Sequence, residues 1–200
     1  MAKTIVDVMV DLETLGTAPG SVILSIGAAA EAPGHSAACE RKIAIASALY
    51  SGLKVDEDTL AWWRKQDQAA WLSSTDGHEG LTYALHAFRL WMDEQRKRAD
   101  VLRVWGDGAI FDMGLLEAAY RATGQQTPWK YQEIHCYRTL RQLLGSKKPE
   151  MADGEKHTAL ADARSQMLHL KQLLGQLNSY TAQQQALVPF PLPHGPIAVG

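Results

Sequence analysis

The apolar run over residues 5–10, closed by the carboxylates Asp11 and Glu13, constrains this chain more than any other feature. A short run rich in β-branched side chains reads as a strand buried on both faces. In an extended segment, residues i and i+2 project to the same side. The strand therefore delivers two acids to one point near its end, where they can grip a divalent cation together.

A metal site of this kind needs further acids, and the sequence offers two. Asp112 lies in Trp105-Gly106-Asp107-Gly108-Ala109-Ile110-Phe111-Asp112, and Asp162 in His157-Thr158-Ala159-Leu160-Ala161-Asp162. With His157 they form a single candidate constellation.

Residues 5–10 and 22–30 read as strands joined by a hairpin-like turn at Thr17-Ala18-Pro19-Gly20, with residues 40–45 as a third strand. From Asp56 the period changes: Leu60, Trp63, Ala70 and Trp71 recur at helical spacing, and a second helix over 79–98 carries Leu81, Leu85, Phe88 and Met92. Residues 101–105 make a short strand. Helices follow over 113–123, stopped by Gly124, then over 137–144 and 158–177. A meander followed by alternating helices and strands predicts an α/β fold with a mixed central β-sheet flanked by α-helices. The domain is expected over residues 1–178. Residues 179–200, with Gln183-Gln184-Gln185 followed by Pro189, Pro191, Pro193 and Pro196, read as a tail, disordered or draped on a partner.

The 200 residues suffice for one sizeable core, and 46% hydrophobic with 21% charged is ordinary globular composition. The net charge of -2 provides no general basic field for nucleic acid, so a polyanion would be held by local basic patches or by bound metal ions. Cys39 and Cys136 are far apart and form no CxxC pair, which argues against a zinc ribbon and a disulfide framework. The N-terminus carries no signal-peptide core, and no stretch approaches a membrane span of about 20 apolar residues. A cytoplasmic protein is the expectation.

Phosphodiester hydrolysis at neutral pH requires neutralised phosphate charge and a deprotonated water, and two cations about 3.5 to 4 Å apart supply both. Carboxylates suit magnesium or manganese. His157 and Asp162 are five residues apart, about 140° around a helix, so both reach one site only if His157 precedes the helix. Thr158 as N-cap would place it there, on the incoming loop, as a general base titrating near neutrality.

The spacing D-x-E, then F-D about a hundred residues on, then H-x4-D, resembles the DEDDh 3′-to-5′ exonucleases. Asp11-Leu12-Glu13-Thr14-Leu15-Gly16, with Trp62-Trp63 and Gln66, is most similar to the mycobacterial exoribonuclease-like and phage exonuclease A families. The resemblance covers about residues 5–175. It implies a ribonuclease H-like fold, two Mg2+ or Mn2+ ions, and release of nucleoside 5′-monophosphates from single-stranded RNA or DNA 3′ ends, RNA somewhat favoured. By motif match, Asp11, Glu13, Asp112 and Asp162 correspond to metal ligands and His157 to the general base. Leu12, Thr14 and Leu15 correspond to contacts with the terminal nucleotide. Several relatives are homodimers, which would give the tail a partner. Many relatives carry His-Asn where this chain has Asp107-Gly108, which bears on substrate preference.

A D-x-E pair alone is commonly a solvated turn, and the weight lies in three motifs in order. Asp107 reads as a turn residue. Trp62 and Trp63 point about 100° apart on a helix, so Trp63 reads as core while Trp62 remains available to stack on a base. Phe111 reads as packing beneath Asp112. Arg96-Lys97-Arg98 reads as solvated, whereas Lys147 and Lys148 belong to a segment that could bring charge to substrate. The rivals are a nucleic-acid or nucleotide binding module without turnover and a mononucleotide phosphatase.

Overall fold

The computed structural model describes residues 3–149 and 158–187, with side chains described as far as Thr181. Strands β1 (Ile5–Thr14), β2 (Ile23–Ala32) and β3 (His35–Lys42) form an antiparallel meander. Strands β4 (Val101–Gly106) and β5 (Ile134–Cys136) continue the sheet in parallel from the other side of β1. The order is β3-β2-β1-β4-β5, the mixed sheet that the sequence predicts. Helices α1 (Ile45–Tyr50), α2 (Glu57–Trp63), α3 (Gln68–Thr75) and α4 (Leu81–Arg96) precede β4. Helices α5 (Ala109–Ala122), α6 (Tyr137–Leu143) and α7 (Ala159–Leu187) come after it.

Strand β1 is central because both of its faces are apolar. Val6, Val8, Val10 and Leu12 pack on Leu85, Phe88 and Met92 of α4 and on Leu115 and Leu116 of α5. Met9 faces the other way, with Ala29 and Trp105, beneath Ala163, Met167, Leu170 and Leu173 of α7. Continuing the alternation past Met9 puts Asp11 and Glu13 on the α7 side of the sheet. Strand β1 is antiparallel to β2 on one side and parallel to β4 on the other, and the carboxyl ends of parallel neighbours such as β1 and β4 form the usual ligand crevice of an open α/β sheet.

Several elements differ from expectation for local reasons. The third strand spans His35–Lys42 rather than 40–45, because a two-residue turn at Pro33-Gly34, with Gly34 at φ 72°, pairs Ala32 with His35. Ile45 instead opens α1. The helical stretch around Trp63 and Trp71 is two helices, since Asp56 accepts from the Thr59 N–H at 2.8 Å and Asp67 from the Ala69 N–H at 3.2 Å, each starting a new N-terminus. Helix α5 begins at Ala109, four residues earlier than expected, so Asp112 lies in its first turn. Strand β5, three residues long, has too little pattern to be read in advance. Arg96 is not simply solvated: it donates to both carboxylate oxygens of Glu133 at 2.7 and 2.8 Å and to the Pro128 carbonyl.

Helix α7 continues to Leu187, so the boundary expected at residue 178 falls inside a helix. Ala, Gln and Leu are good helix formers, and the prolines begin only at Pro189. The proline-rich part of the expected tail lies outside the described residues. No helix among the described residues is long and apolar enough to cross a membrane.

Gly27 decides how closely α7 approaches the sheet. It pairs with Asp11 across β1 and β2, and a methyl group there would collide with the backbone of Ala159 and Leu160 at the start of α7. Gly175, further along α7, has open space where a Cβ would stand. The two glycines therefore respond oppositely to alanine. Gly27→Ala is expected to cost about 3 kcal/mol by overpacking, whereas Gly175→Ala should gain about 0.5–1 kcal/mol from helix propensity. Urea-unfolding midpoints check both signs.

Candidate metal centre and active site

Four acids predicted from the sequence come from three separate elements. Asp11 and Glu13 stand at the carboxyl end of β1, Asp112 in the first turn of α5, and Asp162 in the first turn of α7. Carboxylate oxygens of Asp11, Glu13 and Asp162 all lie within 4.8 Å of one another, close enough to share a cation. Asp112 is not within that group. It is buried beside Asp11 and packed on Gly106, where a Cβ would stand 2.5 Å from its Oδ2.

Burial and mutual repulsion govern these groups. Loss of solvent, then the charge of Asp162, pushes Asp11 up to about 7, against a lowering hydrogen bond from Gln166 and the charge of Lys148. Loss of solvent, then Asp11 and Asp162, pushes Glu13 up to about 8. Burial, Asp11 and Asp107 hold Asp112 well above the ordinary carboxylate range. Clustered acids that resist ionisation in the metal-free protein are poised to take a cation, because the ion offsets both burial and repulsion. The Oδ2 atom of Asp112 is buried with no hydrogen-bond partner among the described residues, a further sign that the donor set fits a hard, oxygen-seeking metal.

Beside the acids opens a cleft of about 540 Å3 lined by Leu12, Glu13, Thr14, Trp62, Trp63 and Phe111, among others. Trp63 is 2% exposed and donates its indole N–H to the Thr14 carbonyl at 2.9 Å, fixing the cleft floor. Trp62 is 44% exposed, as the helix geometry required. Phe111 packs against the core and also contributes to the cleft wall. Leu15 is the exception among the expected nucleotide contacts. It lies beyond the end of β1, buried in the core and away from the cleft lining, because the chain has already turned towards β2. His157 lies outside the described residues. Thr158 immediately precedes α7, and its carbonyl accepts from the Asp162 N–H at 3.0 Å, as expected of a residue at the start of that helix.

The sequence reading missed two residues at the site. Gln166 is fully buried and donates to Asp11 Oδ1 at 2.7 Å. Its signal was available, since it lies four residues after Asp162 on the same helix face. Asp107 is more than a turn residue. Its carboxylate, only 10% exposed, lies 3.3 Å from Arg138, 3.6 Å from Arg141 and 3.3 Å from Lys148. Lys148 Nζ also stands 4.0 Å from Asp162 Oδ1. Nothing local in the sequence links Asp107 to these cations.

Residues 6–174 match the family model described as the 3′-5′ exoribonuclease Rv2179c-like domain. A comparison with curated proteins finds no match. Among solved structures, the nuclease domain of 3′hExo, a DEDDh family member bound to rAMP, is similar at 10% identity with a TM-score of 0.51. The match covers 85% of this chain and 92% of that one. Cell-death related nuclease 4 (CRN-4) aligns at 8% identity and a TM-score of 0.47, over 86% of this chain and 64% of that one. The likeness to the 3′hExo domain bears out the ribonuclease H-like fold. With the sheet, the acidic cluster and the family model in agreement, the chain belongs to the Rv2179c-like 3′-5′ exoribonuclease domain family and is a 3′-5′ exonuclease.

Proposed function

We propose that the protein removes nucleotides one at a time from single-stranded 3′ ends, RNA favoured over DNA, and releases nucleoside 5′-monophosphates. The observation that carries this reading is the convergence of Asp11, Glu13 and Asp162 within 4.8 Å, with Asp112 buried beside Asp11. These four acids would hold two divalent cations, Mg2+ or Mn2+. Bound there, the cations would neutralise phosphate charge and acidify water. The preference for RNA follows the exoribonuclease description of the family.

The terminal nucleoside occupies the cleft beside Glu13, with Leu12 and Thr14 against it and the exposed face of Trp62 available to stack on the base. Leu15 supports this wall from the core. Water attacks phosphorus, its proton passes to the His157 imidazole, and the bond from phosphorus to the 3′ oxygen breaks. The shortened strand keeps a 3′ hydroxyl and the departing nucleotide keeps the phosphate. In the sequence His157 comes two positions before Ala159, the first residue of α7, which supports its assignment as the base. Gln166 holds Asp11 in one orientation, so the acids need not reorganise when a cation arrives.

Incubating 5′-labelled RNA and DNA oligomers with Mg2+, Mn2+ or chelator tests the reading. A metal-dependent ladder shortening from the 3′ end is expected, with nucleoside monophosphates as product. Release of inorganic phosphate from mononucleotides alone would favour the phosphatase, and intact strands throughout would favour the binding module. Asp11→Asn should lower kcat/KM by about 1000-fold or more, whereas His157→Ala should lower kcat by about 100- to 10,000-fold with metal binding retained.

The raised carboxylates add a pH test. With Asp11 near 7 and Glu13 near 8, the metal-free native state holds protons that the unfolded chain releases above about pH 4. Its stability therefore falls as pH rises from about 4 through 8. A divalent cation replaces those protons, so thermal stabilisation by Mn2+ should grow between pH 6 and 8. Asp11→Asn should raise metal-free stability at pH 8 while removing activity. Scanning calorimetry across pH checks this, and a flat metal effect would count against the assigned ligands.

A further inference from the structure

We propose that Asp58 is a specificity-determining residue that selects strands ending in a base with an exocyclic amino group, adenine, cytosine or guanine, over strands ending in uracil or thymine. The inference rests on the exonuclease reading above and names the 3′ ends that the cleft takes best. Helix α2 lays both a stacking surface and a carboxylate along one wall of that cleft.

Asp58 and Trp62 are four residues apart on α2, about 40° around its axis, and both line the cleft. Side chains of a helix lean towards its N-terminus, so the Trp62 ring lies over the turn that carries Asp58. The ring is held in place. Trp63, anchored to the Thr14 carbonyl, meets it edge to face, with ring centres 5.1 Å apart and planes at 78°. A base stacked on Trp62 therefore turns one edge towards the Asp58 carboxylate. Nor does the helix occupy that carboxylate. Asp56 is the N-cap and takes the Thr59 N–H and hydroxyl at 2.8 Å each, while Asp58 has no side-chain hydrogen bond or ion pair among the described residues.

What this wall shows to a base accepts hydrogen bonds. Of the threonines lining the cleft, Thr14 gives its hydroxyl proton to the Gly16 carbonyl at 2.8 Å and Thr59 gives its own to Asp56. The Trp63 indole N–H is committed to the Thr14 carbonyl. The carboxylates of Asp56 and Asp58 accept and donate nothing. Adenine and cytosine offer N–H donors at N6 and N4, and guanine at N2. Uracil and thymine turn the O4 carbonyl there instead, and two oxygens meet with no proton between them. A strand is itself a polyanion, so an unpaired acid against it works against binding unless it takes such a bond.

Four RNA oligomers that differ only in the 3′-terminal nucleotide test the contact, with removal of that first nucleotide as the readout. In the wild type, kcat/KM for ends in A, C or G is expected to be at least about fivefold above that for U. Replacing a terminal adenosine by purine riboside, which lacks only the amino group, should bring it down to the U level. Asp58→Asn supplies an amide that can donate to O4, so the gap should close to about twofold or less, with U gaining. Glu57→Gln changes another exposed acid of the same turn, outside the cleft lining, and should leave the gap in place. Equal rates on all four ends in the wild type, a gap that survives Asp58→Asn, or an equal loss on all four ends in that variant would overturn the selection while the exonuclease stands. Calorimetric binding of AMP, CMP, GMP and UMP, with Mn2+, to the wild type and to Asp58→Asn separates the two readings. Tighter binding of the amino-bearing monophosphates that depends on Asp58, in a protein that cleaves no strand, would uphold the selection and sink the exonuclease.

Discussion

Repulsion among carboxylates crowded together and largely withdrawn from water is the constraint on which the rest of the site depends. Carboxylate oxygens of Asp11, Glu13 and Asp162 lie within 4.8 Å of one another with only partial compensation from Gln166 and Lys148. Such an arrangement cannot hold itself together. It persists because each acid belongs to an element fixed by an apolar core, and displacing any one of them would disturb that core. The cost in stability is what makes the site receptive to a cation.

Close approach of backbones builds the arrangement. Without a side chain at Gly27, the start of α7 can sit on β2 opposite Asp11, which brings Asp162 and Gln166 to the strand end. Without one at Gly106, Asp112 can lie over the end of β4. Both glycines lie at strand positions where propensity alone would disfavour them, a pattern that marks close contact rather than weak design. The nucleoside cleft and the basic cluster around Asp107 both adjoin the acids.

Much of this was legible in advance. The alternation through Val8, Met9 and Val10 fixed the face of Asp11 and Glu13, and helix geometry separated a buried Trp63 from an exposed Trp62. Other features were hidden by weak or misleading local signals. Strand β3 is masked by the small residues around Ala37, and β5 is too short to show a period. The polar Gln183 to Gln185 stretch reads as tail although glutamine forms helices well. Leu15 shares a motif with cleft residues, yet the turn after β1 carries it into the core.

The sequence by itself determined the chemistry available: acids two residues apart on a strand, an acid four residues before a glutamine on a helix, and oxygen ligands suited to hard cations. These are local properties, since strand and helix periods are set by the backbone of a few residues. Only the tertiary structure decided which groups answer which acids. Gln166 meets Asp11 across 155 positions of sequence, and Arg138 meets Asp107 across 31. No backbone period extends over such distances. Those partners are set by how helices pack on the two faces of the sheet and by where glycine lets them approach.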